Sequence, residues 1–415
     1  MILRPDTLAL TAVLALLTSL GPLSTDMYLP SLPAIGQYFG RNIADVQLTL
    51  SAFLFGFAAG QVFYGPLADR HGRRPVLLAG LVLFILATIA CAFAPTLDVL
   101  TTARFAQALG ASGPIVLARS IVRDLYAMER AGRELARMGT IMGLVPAIAP
   151  ILGGLLEVAF GWRASFLATV LFALALLVVV ATALPETLKH RAPEAVSMRR
   201  ILTIFRDIAR NEGYRGYVMI SACTYGGLFA FISGSSFVLQ GIYGLDPRAY
   251  GFAFAAAVVG YIAGTIIAQR VVNRRGIEGT IHLGVWLLAV GGLAMLGAML
   301  FGPGHIAEAL VPIVIYMVGV GLTFPQSQAG AMTLNAERAG AASSLLGLCQ
   351  MSFAAAAGIL LGLALGASAW PLGAAIALLG CAALLVFVVT RGARNAALAA
   401  SRAGDQARLA AARSR

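Results

Sequence analysis

Apolar runs long enough to cross a bilayer alternate with short polar segments along the whole chain. A spanning helix needs about 20 apolar residues. Twelve segments reach that length: 8–31, 44–68, 75–95, 98–121, 136–159, 163–184, 216–240, 249–272, 280–301, 307–333, 340–366 and 369–390. The last two are read as separate spans, because residues 339–390 carry no charge but hold turn chemistry at Gly366, Ser368 and Pro371. The pattern predicts an all-α membrane protein of twelve transmembrane helices. The first run is too long for a signal-peptide core and contains an acid, Asp26, so it is read as a span and not as a cleaved leader.

The polar segments set the expected orientation. With the N-terminus placed in the cytoplasm, 26 of the 30 Lys and Arg residues fall in cytoplasmic segments. Only Arg41, Arg163 and Arg248 fall on the other side, and Arg104 lies within a span. This positive-inside asymmetry predicts that both termini are cytoplasmic and that the number of spans is even. The longest polar stretch, about 185–215, holds Pro185 and Pro193 and separates six spans from six. The expected organisation is an N-terminal six-helix bundle (1–187), a central cytoplasmic loop (188–212), a C-terminal six-helix bundle (213–391) and a basic cytoplasmic tail (392–415). The halves echo at an offset of 204, as in Gly72 with Gly276, Gly143 with Gly347 and Gly154 with Gly358.

Composition agrees with lipid burial. The chain is 59% apolar and 12% charged, against about 25% charged for a soluble protein, and its mean hydropathy is +0.86. The net charge of +12 does not point to nucleic acid, because no basic stripe is interleaved with aromatics. Cys91, Cys223, Cys349 and Cys381 lie inside apolar runs without a CxxC pair, so neither a disulfide nor a metal site is expected. Four histidines without a spaced acid or thiol cluster leave no requirement for an enzyme met. No cofactor is expected.

Candidate chemistry lies mainly in residues 21–190. The loop after the second span reads Gly65-Pro-Leu-Ala-Asp69-Arg70-His-Gly72-Arg73-Arg74-Pro75. Gly65 permits close helix approach and Gly72 a tight turn. Asp69 at a helix end can pair with an arginine or cap a neighbouring helix. This loop resembles the signature loop of the major facilitator superfamily, whose twelve helices form two six-helix bundles related by a parallel repeat. The resemblance implies a latch, made by Gly65, Asp69, Arg70, Gly72, Arg73 and Arg74, that holds the cytoplasmic ends of two bundles together in one state.

Three further elements resemble the twelve-span drug:proton antiporter group of that superfamily, and together its Bcr/CflA-type bicyclomycin and chloramphenicol exporters. Asp26-Met-Tyr28-Leu-Pro30 ends the first span. An acid in a span costs about 2.5–3.5 kcal/mol on insertion scales, so a functional role is the default; a hydrated acid at a helix end is the plainer reading. Arg104-Phe-Ala-Gln107 lies in the fourth span, with Ala108 where the group usually has glycine. Arg104 must face a polar cavity or a carboxylate, since it cannot discharge, or else it only holds helix contacts. Gly143, Pro146, Pro150, Gly153 and Gly154 fall on one small, kinked face of the fifth span, with Ala149 replacing a glycine of the antiporter motif. The resemblance implies proton coupling through Asp26 and Arg104, and an antiporter helix in span five.

Tyr28, Phe53, Phe57, Gln61 and Gln107 are candidates to line a substrate cavity, although an aromatic stripe more often packs in a core or faces lipid. The implied function is proton-driven export of neutral or cationic amphipathic drugs across a bacterial inner membrane by a monomer. Its partners are the drug, protons and the bilayer, with no nucleic acid. A proton-coupled symporter importing a small nutrient is the alternative.

Overall fold

The computed structural model describes residues 7–126, 128–188, 198–302, 304–335, 338–366 and 368–400. The central-loop residues 189–197 and the tail beyond 400 lie outside this set, and so does Arg4. The described chain runs through α1 (Leu8–Asp26), a 310 turn (Leu29–Ser31), α2 (Leu32–Phe39), α3 (Ile43–His71), α4 (Arg73–Ala92), α5 (Leu97–Leu125), α6 (Met128–Phe160) and α7 (Arg163–Ala183). It continues through α8 (Met198–Ala209), α9 (Glu212–Ser236) with a π-helical turn Phe237–Ile242, α10 (Pro247–Phe301), α11 (Ala307–Thr333), α12 (Ala339–Ala364) and α13 (Trp370–Val389). Among the described residues eleven helical segments are long and apolar enough to cross a membrane. One of them, α10, is two spans written as one, broken where Gly276 leaves helical geometry at φ 67. Twelve spans result, and the chain is a multi-pass membrane protein.

Local chemistry explains the boundaries. The side chains of Thr7, Asn42 and Thr96 accept from the backbone N–H three residues on and start α1, α3 and α5. Prolines 30 and 33 close the first apolar run differently from expectation: α1 stops at Asp26, and the chain reaches Phe39 through the 310 turn and α2. Gly40 ends α2 in the left-handed region at φ 61. Large apolar side chains face outward, as on Leu171 and Val178 of α7 and Leu378 and Val389 of α13, where lipid would cover them.

The chain forms two compact units. The first comprises Met1–Ala195, Ala230–Val258 and Ala355–Pro371, and the second Val196–Phe229, Val259–Ala354 and Leu372–Arg415. They depart from a division at the central loop, because the end of α9, the start of α10 and the end of α12 pack with the first seven helices. Within the first unit α5 lies against both α3 and α4, and α1 against α6. Small residues allow these approaches. A Cβ at Gly56 would run into the carbonyl oxygen of Phe105, and one at Gly60 into Ser112 Oγ. Gly65, expected to do this work, has open space beside it; the close contacts lie about one and a half and two and a half turns earlier on α3.

In the second unit glycines again carry the closest contacts, with Gly264 on the carbonyl of Val318, Gly321 on that of Tyr261 and Gly380 on that of Leu288. Buried Gln350 of α12 donates to Ser221 of α9, and Tyr225 stacks on Phe324. Residues 391–400 continue as helix after α13, so the first residues of the expected basic tail pack with the second unit. Arg394 is fully buried. Its Nε and Nη2 donate to Glu278 Oε1 and Oε2 at 3.0 and 2.9 Å, and its Nη1 donates to the Phe387 carbonyl and to Thr390. Tyr217 Oη donates to the same Glu278 at 2.6 Å. The start of α9, the turn after Gly276 and the end of α13 are thereby tied by one bidentate ion pair.

Removing one member of such a pair strands the other. Arg394→Met should lower stability by about 3 kcal/mol, and adding Glu278→Gln should recover most of that loss. Thermal unfolding of the purified variants in detergent measures both.

Candidate functional site

The first unit holds a fully buried cation. Thr96 and Asp98 start α5, and its second turn places Arg104 at 0% exposure. Its Nη1 donates to the Ser24 carbonyl of α1 at 3.2 Å and to Gln107 Oε1 at 2.7 Å. Gln107 Nε2 in turn donates to Thr88 Oγ1 of α4 at 2.9 Å. The rings of Tyr28 and Phe53 lie against the guanidinium at 4.6 and 4.3 Å, an attraction strengthened by desolvation. Of the surroundings expected for Arg104, neither a carboxylate nor a polar cavity is seen; among the described residues it holds helix contacts, meeting a carbonyl, an amide and three ring faces, the third that of Phe166 at 6.0 Å. Its Nε and Nη2 have no acceptor there.

Four of the five expected cavity residues gather at this cation. Tyr28, Phe53 and Gln107 touch it directly, and Phe57 stacks on Phe53 at 6.2 Å and against Gly21. They form packed core, and Gln61, two turns further along α3, is partly exposed and outside the cluster. A cavity of about 760 Å3 opens elsewhere in this unit, lined among others by Gln37, Arg41, Asn42, Phe237 and Gly362.

Asp26 ends α1 with 5% of its surface exposed, buried and not hydrated at the helix end. It is not the partner of Arg104, whose bond to α1 goes to Ser24, about half a turn away. Tyr250 of α10 lies within electrostatic reach of Asp26 and pairs with Ser235 at 3.0 Å. Beside Asp26 the face of α6 is split in its behaviour. A Cβ at Gly153 would run into the Met27 carbonyl, and one at Gly154 into that of Pro247. Pro150 packs on Gly251. Gly143 has open space and Pro146 is only partly buried, so the close seam is confined to residues 150–154.

Side chains that the motifs did not mark close the same end of the first unit. Gln47 and Ser51 of α3 donate to the carbonyls of Ser233 and Ala355 at 3.0 and 3.3 Å. Ser236 and Gln240 donate to the carbonyls of Leu29 and Pro30 at 2.7 and 3.0 Å. Gly362 rests on Gln47 Oε1. The only sequence signal for these residues was polarity inside apolar runs.

At the opposite end, Gly72 adopts φ 105 and turns α3 into α4. Arg73 Nη1 meets Asp69 at 2.6 Å and its Nε meets Asp124 of α5 at 2.9 Å. Of the two roles open to Asp69 it takes the arginine pair, and the helix is capped by Glu186. Its carboxylate accepts from the backbone N–H groups of Arg73 and Arg74 at 2.9 and 3.1 Å, and from those of Thr187 and Leu188 at 2.9 Å each. Arg74 reaches the Ala181 carbonyl, and Arg70 is exposed. Burial pushes the Glu186 carboxyl up, but its four backbone donors outweigh burial and hold it below the ordinary carboxylate range.

Residues 14–358 match the family described as Major Facilitator Superfamily. The uncharacterized MFS-type transporter YdgK of Bacillus subtilis (strain 168) is 33% identical over 353 residues, covering 83% of this chain and 86% of that protein. Multidrug resistance protein D of Escherichia coli (strain K12) is 30% identical over 346 residues, covering 83% and 86%. The bicyclomycin resistance protein homolog of Haemophilus influenzae is 28% identical over 366 residues, covering 86% and 89%.

The Glu186 cap has a pH signature. Its folded-state pKa is depressed, so its stabilisation is present at neutral pH and is lost as pH falls through that value. Glu186→Gln should cost about 1 kcal/mol at pH 7, the ordinary worth of a helix cap. The gap to wild type should close as the buffer is taken below about pH 4. Melting curves of both proteins across that range test it.

Proposed function

The chain belongs to the Major Facilitator Superfamily, and within it we propose a proton-driven exporter of neutral or cationic amphipathic drugs. The protein is a transporter of that all-helical fold and not an enzyme. The observation that carries the finer reading is Asp26, a carboxylate buried where α1 breaks, with the backbone of α6 packed against the next residue at Gly153. Burying an acid is costly unless its charge comes and goes, so proton uptake and release is the role that explains its position. The relatives named for multidrug and bicyclomycin resistance support drug as the cargo.

The distribution of Lys and Arg supports cytoplasmic termini in a bacterial inner membrane. In that orientation the Gly72 turn, with Arg73 between Asp69 and Asp124, lies on the cytoplasmic side. The hydrogen bonds of Gln47, Ser51, Ser236 and Gln240 then seal the outer side. All four end on backbone carbonyls, so the seal can open by exchanging them for water without exposing an ion pair. One acid cannot hold a proton and face a cationic drug together, and that competition is a basis for exchange. Neutral drugs would be moved through the change of conformation that accompanies protonation. Arg104 would act as the fixed positive charge of this end of the bundle.

In inside-out vesicles energised acid-inside, drug addition should release protons from the lumen, reported by dequenching of a pH dye. Asp26→Asn should reduce that signal to background while the protein still inserts. Wild-type exchange in this variant would count against Asp26, and drug moving with protons in one direction would identify an importer. Arg104→Lys should lose most of the transport rate, because an ammonium cannot lie flat between Tyr28 and Phe53. Initial rates of drug uptake into the same vesicles measure it.

A further inference from the structure

The three-residue turn Leu29–Ser31 is held from two directions. On one side its first two carbonyls accept the seal bonds of Ser236 and Gln240. On the other, the fully buried hydroxyl of Ser31 donates in a close hydrogen bond to Glu157 Oε2 of α6. Glu157 is one turn beyond Gly153 and shares its face. Because Gly153 lets α6 come within backbone contact of Met27, the Glu157 carboxylate is pressed onto this turn. It is partly exposed, so a proton can reach it.

The elements packed around Glu157 carry several charged and titratable groups. Asp26 and Tyr28 lie on the chain leading into the turn. From α10, which packs on α6 at Gly154, come Arg248 and Tyr250, with Asp246 just before it. Arg163 begins α7 and bonds to Tyr38, and Arg104 of α5 is engaged with Ser24 and Gln107. No ion pair to Glu157 is formed among the described residues.

We propose that Glu157 is a second proton-carrying group of the exporter, acting through Ser31 on the turn that bears the outer seal. The proposal rests on the proton-coupled reading above. As a carboxylate, Glu157 accepts the Ser31 hydrogen and draws the turn toward α6. When it takes a proton from the outer side, the new O–H can donate to Ser31 instead, which frees the serine hydrogen to turn elsewhere. The proton later leaves to the cytoplasm, and the carboxylate re-forms. Each cycle rewires the Ser31–Glu157 contact between α6 and the segment to which Ser236 and Gln240 are tied. With Asp26 as the other site, two protons enter for each drug that leaves.

The charge count gives a test that a purely structural glutamate would not move. In proteoliposomes, exchange of two protons for one ethidium, a permanent monovalent cation, carries net charge. An imposed membrane potential should therefore drive ethidium movement in wild type without a pH gradient. Glu157→Gln should halve the protons released per ethidium and lose the response to potential while keeping the response to a pH gradient. Glu157→Asp should keep both responses. Ser31→Ala retains both acids, so it should keep the proton count while shifting the pH dependence of the rate. Should Glu157→Gln fail to fold, the Asp and Ala variants still decide. A Glu157→Asp variant as defective as Gln, or a Ser31→Ala variant with unshifted pH dependence, overturns the proposal. So does a potential response surviving in Glu157→Gln, or its absence in wild type that still exchanges along a pH gradient. No pH-gradient-driven ethidium movement in wild type would instead sink the antiport reading itself.

Discussion

Arg104 is a permanent positive charge with no exposed surface in a bundle whose outside is apolar. Such a charge cannot discharge to escape burial, and lipid offers it nothing. The first unit is organised around accommodating it. A carbonyl of α1, an amide of α5 itself and ring faces from Tyr28 and from Phe53 of α3 surround the guanidinium, and Gln107 passes the constraint on to Thr88 of α4. Four helices and the turn leaving α1 thus have their rotations fixed by one side chain. Asp26 lies half a turn from this cluster and outside it, which leaves its own protonation free of a tight ion pair.

Close helix approach does the rest of the positioning. Lipid tails are as apolar as leucine, so helices in a bilayer gain little from burying leucines against each other and more from fitting small residues closely. Gly56 and Gly60 bring α3 onto α5, and Gly153 and Gly154 bring α6 onto the α1 break and the start of α10. The consequence is chemical as well as steric. Only because Gly153 meets a backbone carbonyl can Glu157 reach Ser31, and only because Gly362 lies on Gln47 can α12 cover that end of α3.

Each unit also ties its helix ends with a charged knot, and the two knots have opposite polarity. In the first, a single cation, Arg73, bridges two acids, while Glu186 caps the helix that Arg73 begins. In the second, a single acid, Glu278, takes both forks of Arg394 and the hydroxyl of Tyr217. Both knots use one device, a glycine at positive φ followed by a charge that ties the end of another helix, with the signs exchanged.

The spans, their approximate ends, the Gly72 turn and the demand of Arg104 for unusual surroundings were legible in the residues themselves. All of these depend on local transfer energies and backbone conformations, which a sequence carries one position at a time. The all-helical fold followed from the same source, because a bilayer permits few other structures. Which groups meet was decided only by the tertiary structure. Arg104 lies among rings, an amide and a carbonyl, Asp69 takes the arginine pair while Glu186 caps the helix, Gly65 and Gly143 have open space beside them, and Arg394 lies in the core. The reason is that a membrane helix is apolar all round. Without a polar face to mark the outside, the pattern of residues does not say which side of a helix meets a neighbour, and partners are settled by close packing between segments far apart in the chain.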